Sequence, residues 1–125
     1  MDIKPDFEKG NGLIPAVVQD YSSGMVLMTA YMNEEAWLKT LETGYAHFFS
    51  RERKKLWKKG ESSGNLQIVK SVFIDCDNDT VLLKVEQIGG AACHLGYDTC
   101  FFREIKNGTA VITGKKIFNP DDVYN

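Results

Sequence analysis

Seven runs rich in β-branched and aromatic residues, one capped helical stretch and an ordinary globular composition predict an α+β domain in which sheet predominates. Hydrophobic residues make up 43% and charged residues 26% of the 125 positions, a length that supports one core rather than two. We therefore read residues 1–125 as a single domain with short irregular termini.

The elements follow in order. LIPAVVQ (13–19) and GMVLMTAY (24–31) are apolar runs joined by Asp20-Tyr21-Ser22-Ser23-Gly24, a spacing and turn chemistry that predict a hairpin. Asn33 then stands as a helix N-cap with Glu34 and Glu35 in the first turn, where the helix dipole favours acids. Ala36, Trp37, Leu38 and Leu41 supply the apolar stripe, and Gly44 is the stop. A strand over 45–50 follows. Residues 51–65 read as a basic segment running into a flexible Ser/Gly loop. Two long strands, 66–76 and 80–88, turn through Asp77-Asn78-Asp79, and two short ones, 100–105 and 110–113, complete the count.

Asp75, Asp77 and Asp79 alternate with Cys76 and Asn78, and alternate strand positions face opposite sides. Leu66, Ile68, Val72 and Ile74 share the parity of Cys76, interrupted by Lys70, so the thiol is expected to face a packed surface while the carboxylates gather opposite. Three neighbouring carboxylates repel, and a hard divalent cation is the natural compensation; a solvated acidic turn is the alternative. An EF-hand loop fits poorly, because position 6 is Thr80 rather than Gly and the flanks are strand sequence.

Three cysteines cannot all pair within one chain, which leaves metal binding, catalysis or simple burial. Cys93 and Cys100 enclose His94 within CHLGYDTC, with Gly89, Gly90 and Gly96 allowing tight turns nearby. Three protein ligands and an open position form a catalytic zinc pattern, whereas a closed structural site needs a fourth ligand that His94 could supply. Adjacent Cys93 and His94 do not easily bind one ion together while also orienting a substrate. The favoured arrangement is thus three thiolates with His94 free to act as a base. His47, alternating within YAHFFS, reads as an ordinary strand residue.

The net charge is −2, yet RERKKLWKK (51–59) holds six basic groups and one acid. Arg51, Arg53, Lys59 and Ser63, in a basic stretch that opens a Ser/Gly loop, suit phosphate contact; a solvated charged face is the plain alternative. Trp57 either stacks on a base or is buried. One such cluster in an acidic chain is a poor footprint for nucleic acid. Composition excludes extended disorder, and no run approaches a membrane span. No apolar secretory region is visible at the N-terminus, so the default compartment is the cytoplasm.

The stretches PAVVQDYSSGMVLMTAYMNEEA (15–36), HFFSRERKKLWKKGESSGN (47–65) and DCDNDTVLLKVEQIGGAACHLGYDTCFFR (75–103) together resemble the phosphoribosyl-AMP cyclohydrolases of histidine biosynthesis. The resemblance implies hydrolytic opening of the adenine ring of 1-(5-phosphoribosyl)-AMP between N1 and C6, within an intertwined homodimer. It further implies one zinc per subunit at the dimer interface, held by Cys76, Cys93 and Cys100 from two chains. Magnesium on Asp75, Asp77 and Asp79 is implied too. His94 is expected to move the proton, and Arg51, Arg53, Lys59 and Ser63 to meet the substrate. Leu95 stands where the family usually has Thr, Ser62 where Thr is common, and TCFFR replaces SCFYR; no ligand is lost. Many relatives carry a fused pyrophosphohydrolase domain, for which 125 residues leave no room, so a monofunctional enzyme is expected.

Overall fold

A computed structural model describes residues 3–123. The chain runs β1 (Ile14–Asp20), β2 (Val26–Met32), α1 (Glu34–Thr43), β3 (His47–Ser50), β4 (Lys55–Lys58), β5 (Gln67–Ile74), β6 (Val81–Gln87), β7 (Arg103–Lys106) and β8 (Thr109–Ile112). The central sheet has the order β2-β1-β6-β5; β1 and β6 are parallel and the other pairs antiparallel. The α+β reading with one main helix holds. Among the described residues no helix is long and apolar enough to cross a membrane.

The predicted hairpin forms because Asp20 closes its turn. The Asp20 Oδ2 accepts from the Ser23 amide at 2.7 Å and its carbonyl from the Gly24 amide at 3.0 Å. Ile14, Ala16 and Val18 alternate inward on β1 and meet Val81, Leu83 and Val85 of β6, all fully or almost fully buried. Leu83 sits at the centre of this core. Leu83→Ala should cost about 3 kcal/mol, read as a lowered urea midpoint, because the lost side chain leaves a cavity the strands cannot close.

The helix is capped as predicted: Asn33 Oδ1 accepts from the Ala36 amide at 2.8 Å, and Gly44 adopts φ 78° beyond the last turn. Its inner face differs from the expected stripe. Ala36, Trp37 and Thr40 are buried, whereas Leu38 and Leu41 are 53% and 51% exposed. Thr40 is tolerated inside because its hydroxyl donates to the Ala36 carbonyl at 2.8 Å and accepts from the His47 amide at 2.9 Å.

Two further expectations are corrected. The basic segment, to which the sequence assigns no strand, contains one: after a turn at 51–54, β4 pairs with β3, setting Phe48 opposite Trp57 and His47 opposite Lys58. Leu56 and Trp57 pack against the core, and this outweighs the repulsion among their basic neighbours. Secondly, β5 does not keep one parity. A bulge at Lys70 shifts the register between Val69 and Ser71, so Gln67 and Val69 face the core before it and Val72 and Ile74 after it. Cys76 lies beyond the strand and is exposed rather than set against a packed surface.

β7 and β8 form a separate hairpin through Asn107 and Gly108, both at positive φ as a tight two-residue turn requires. The hairpin is exposed along its length, and β7 starts three residues later than the sequence predicts, at Arg103.

Candidate active site

A cavity of about 500 Å³ opens between the β3–β4 hairpin, the end of β2 and the segment carrying His94. Arg51, Arg53, Lys59, Ser63 and His94 all line it, so the chain brings every predicted substrate residue to one wall. The β3–β4 pairing does this by folding the basic run back on itself. Tyr31 and Trp57 add aromatic surface. The Arg51 guanidinium lies 4.1 Å from the Tyr31 ring centroid, and Trp57 is braced by Phe48 at 5.1 Å. Tyr31 was missed in the sequence because it stands on the outward side of a strand whose apolar run advertises only a core. The Ser/Gly loop is an ordered turn: its Gly64 amide donates to the Gly60 carbonyl at 2.8 Å and the Asn65 amide to Ser63 Oγ at 3.1 Å.

His94 is exposed and follows Cys93, which is buried. The Cys93 amide donates to the Tyr97 carbonyl, and Gly96 returns the chain to the Cys93 carbonyl. Only glycine fits at Gly96: φ is 94°, and a Cβ there would fall 2.0 Å from the Phe118 carbonyl oxygen. Thr99 fixes the other thiol by donating to the Val26 carbonyl at 2.7 Å, and the Cys100 amide donates to the Leu27 carbonyl at 2.7 Å. His47 is buried, with its Nδ1 2.8 Å from the Tyr45 carbonyl, and does not line the cavity.

The Cys93 and Cys100 thiols are close enough to act on each other electrostatically. The Cys100 thiol is pushed up to about 11, first by desolvation and then by Cys93, while the nearby Lys59 ammonium opposes the rise. A soft divalent cation accepted by both sulfurs would remove that penalty, so this donor set suits zinc. Burial in turn lowers the Lys59 ammonium, against the pull of the two thiols. Cys76 does not join them. Cys100 is bonded to the start of β2 at one sheet edge, whereas Cys76 follows the end of β5 at the other. Three strand spacings, roughly 14 Å, lie between those edges.

The acidic turn is assembled within the chain. Ligand atoms of Asp75, Asp77 and Asp79 lie within 4.8 Å of one another, the only such acid, thiol or imidazole triplet among the described residues. Asp75 Oδ1 accepts from the Asp79 and Thr80 amides at 3.0 and 3.1 Å. Desolvation pushes Asp75 upward, but those amides and hydrogen bonds with the neighbouring acids hold it below the usual carboxylate range. Asp79 is raised, first by its hydrogen bond with Asp77, then by desolvation and the charges beside it. Oxygen-only donors under mutual repulsion suit a hard cation such as magnesium. The N-terminal segment, which the sequence marks only as irregular, steadies this turn: the Asp6 amide donates to the Asn78 carbonyl at 2.7 Å and the Lys9 ammonium to that of Asp77.

The family model for phosphoribosyl-AMP cyclohydrolase matches residues 28–102. The chain is 63% identical over 123 residues to the phosphoribosyl-AMP cyclohydrolase of Desulforapulum autotrophicum, covering 98% of each. It is 58% identical to that of Oleidesulfovibrio alaskensis, covering 98% of this chain and 95% of the relative. Identity to the protein of the same name from Methanosarcina acetivorans is 62% over 114 residues, 91% of this chain and 92% of the relative. The family-model match takes in most of β2, both cysteines of the CHLGYDTC turn, the acidic triplet and the basic cavity wall, and the chain belongs to the phosphoribosyl-AMP cyclohydrolase family of hydrolases.

Proposed function

We propose that this protein opens the adenine ring of 1-(5-phosphoribosyl)-AMP by hydrolysis between N1 and C6, as a cytoplasmic homodimer in histidine biosynthesis. Zinc would be held by Cys93 and Cys100 of one subunit with the Cys76 of a second copy, and magnesium by Asp75, Asp77 and Asp79. One observation carries this reading: His94, next to the buried Cys93, lines the same cavity as the basic wall of Arg51 and Arg53. The separation of Cys76 from the other thiols supports the two-chain zinc site, because one chain alone offers only two of the three sulfurs.

Ribose on N1 makes the purine cationic and its C6 electrophilic. Zinc held by those sulfurs would supply Lewis acidity toward a water. His94 takes one proton of the attacking water and returns it to N1 as the N1–C6 bond breaks; the added hydroxyl loses its second proton to solvent, which discharges the positive charge of the purine, and its oxygen becomes the carboxamide oxygen. Arg51, Arg53 and Ser63 hold phosphate oxygens, and Trp57 offers a flat wall to the purine, so that C6 is fixed against its nucleophile.

A spectrophotometric assay on phosphoribosyl-AMP tests the reading. Turnover should vanish with a chelator and return with zinc; turnover indifferent to the chelator would remove zinc from the mechanism. Asp77→Asn should raise the half-saturating magnesium concentration about tenfold, the cost of one weakened charged ligand. An unchanged magnesium titration would count against the acidic site.

A further inference from the structure

We infer that Lys59 is a positioning residue of the sulfur site, tying the end of β4 to the Cys93–His94 turn and offsetting the charge of the thiolate ligands. This deepens the proposed function and rests on its zinc reading. The other cations of the segment point elsewhere: Arg51 lies over the Tyr31 ring and Lys58 over the Tyr45 ring, 4.5 Å from its centroid. Lys59 turns inward. Its amide donates to the carbonyl of buried Ala46 at 3.0 Å, which fixes the backbone against the core. Its ammonium donates to the Ala92 carbonyl at 2.5 Å, and Ala92 is itself fully buried, one residue before Cys93.

A cation drawn from water needs a counter-charge. Among the described residues the one ion pair is Lys4 with Glu34, far along the chain from Lys59. The contact with the Ala92 carbonyl sets the ammonium beside the residue that precedes Cys93, whose thiol is a proposed ligand. Three thiolates around a divalent ion leave one net negative charge, and the Lys59 ammonium balances it. The balance matters for chemistry, since a less electron-rich sulfur cage leaves the metal a stronger Lewis acid. The carbonyl contact does a second job, holding the backbone from which both Cys93 and His94 project.

The test compares full-length wild type, Lys59→Met and Lys59→Arg in zinc-loaded and cobalt-substituted forms. Partners in the shell around a metal are typically worth about 10–100-fold in affinity or activity. Lys59→Met should therefore lose about tenfold or more in zinc affinity by chelator competition and in kcat, with KM little changed. Its cobalt–thiolate charge-transfer bands should shift, and Lys59→Arg should recover part of each effect. A raised KM with unaltered kcat, zinc affinity and cobalt spectrum would overturn the inference and return Lys59 to phosphate binding. A lowered melting temperature with the same spectrum and affinity would overturn it in favour of mere packing. A wild type that retains no stoichiometric zinc would instead defeat the underlying zinc reading, which keeps the two failures distinct.

Discussion

Cys93→Ala should abolish turnover and zinc binding together. Cys93 is the most buried of the three thiols, set between fully buried Ala92 and the Gly96 turn. Groups that only support a metal ligand are worth about 10–100-fold, so removing a ligand itself should exceed a hundredfold in rate. Metal analysis and the ring-opening assay on one preparation check this; a zinc-replete, active Cys93→Ala protein would exclude the residue as a ligand. The substitution removes only a small side chain, so circular dichroism should remain that of the wild type. Deletion of the partner sulfur by Cys76→Ala should have the same dual effect even though Cys76 is exposed at the far sheet edge. Mixing Cys76→Ala with Cys93→Ala subunits should restore one intact site per mixed dimer.

His94→Ala should do the opposite with metal: full zinc content and a rate lower by about 10²–10⁴-fold, the usual worth of a positioned general acid–base. His94 is exposed at the cavity and needs no burial to keep its neighbours in place, so stability should barely change. Full activity in the variant would remove His94 from proton transfer.

Where the signals are local, the sequence was legible. Asn33 and Gly44 mark the helix because a cap is a contact within three or four residues, and the Asp20 turn announces the first hairpin for the same reason. The β4 strand was hidden, since only Leu56 and Trp57 carry its pattern among lysines and Lys54, not glycine or asparagine, takes the positive φ of its turn. The bulge at Lys70 was equally hidden, because parity counting assumes an unbroken ladder and only pairing with β6 displaces it. The Leu38 and Leu41 positions show the same limit: hydrophobicity names candidates for the core, and the sheet beneath decides which are used. The acidic triplet was readable from spacing, being a turn closed on itself. The cavity was not, as its wall joins β2, the β3–β4 hairpin and the residue after Cys93, segments far apart along the chain. Lys59 showed its basic charge in the sequence; that it turns inward onto Ala92 emerged only with the fold.

The parallel seam between β1 and β6 sets the tempo of folding. Ala16 lies beside Val81, its neighbour in space though far downstream in the chain. Closing so large a loop carries an entropic cost that must be met before the contact rewards it. The opening hairpin therefore waits, one flank bare, until the sixth strand has left the ribosome, and assembly of the sheet is governed by the arrival of the chain's later half rather than by its beginning.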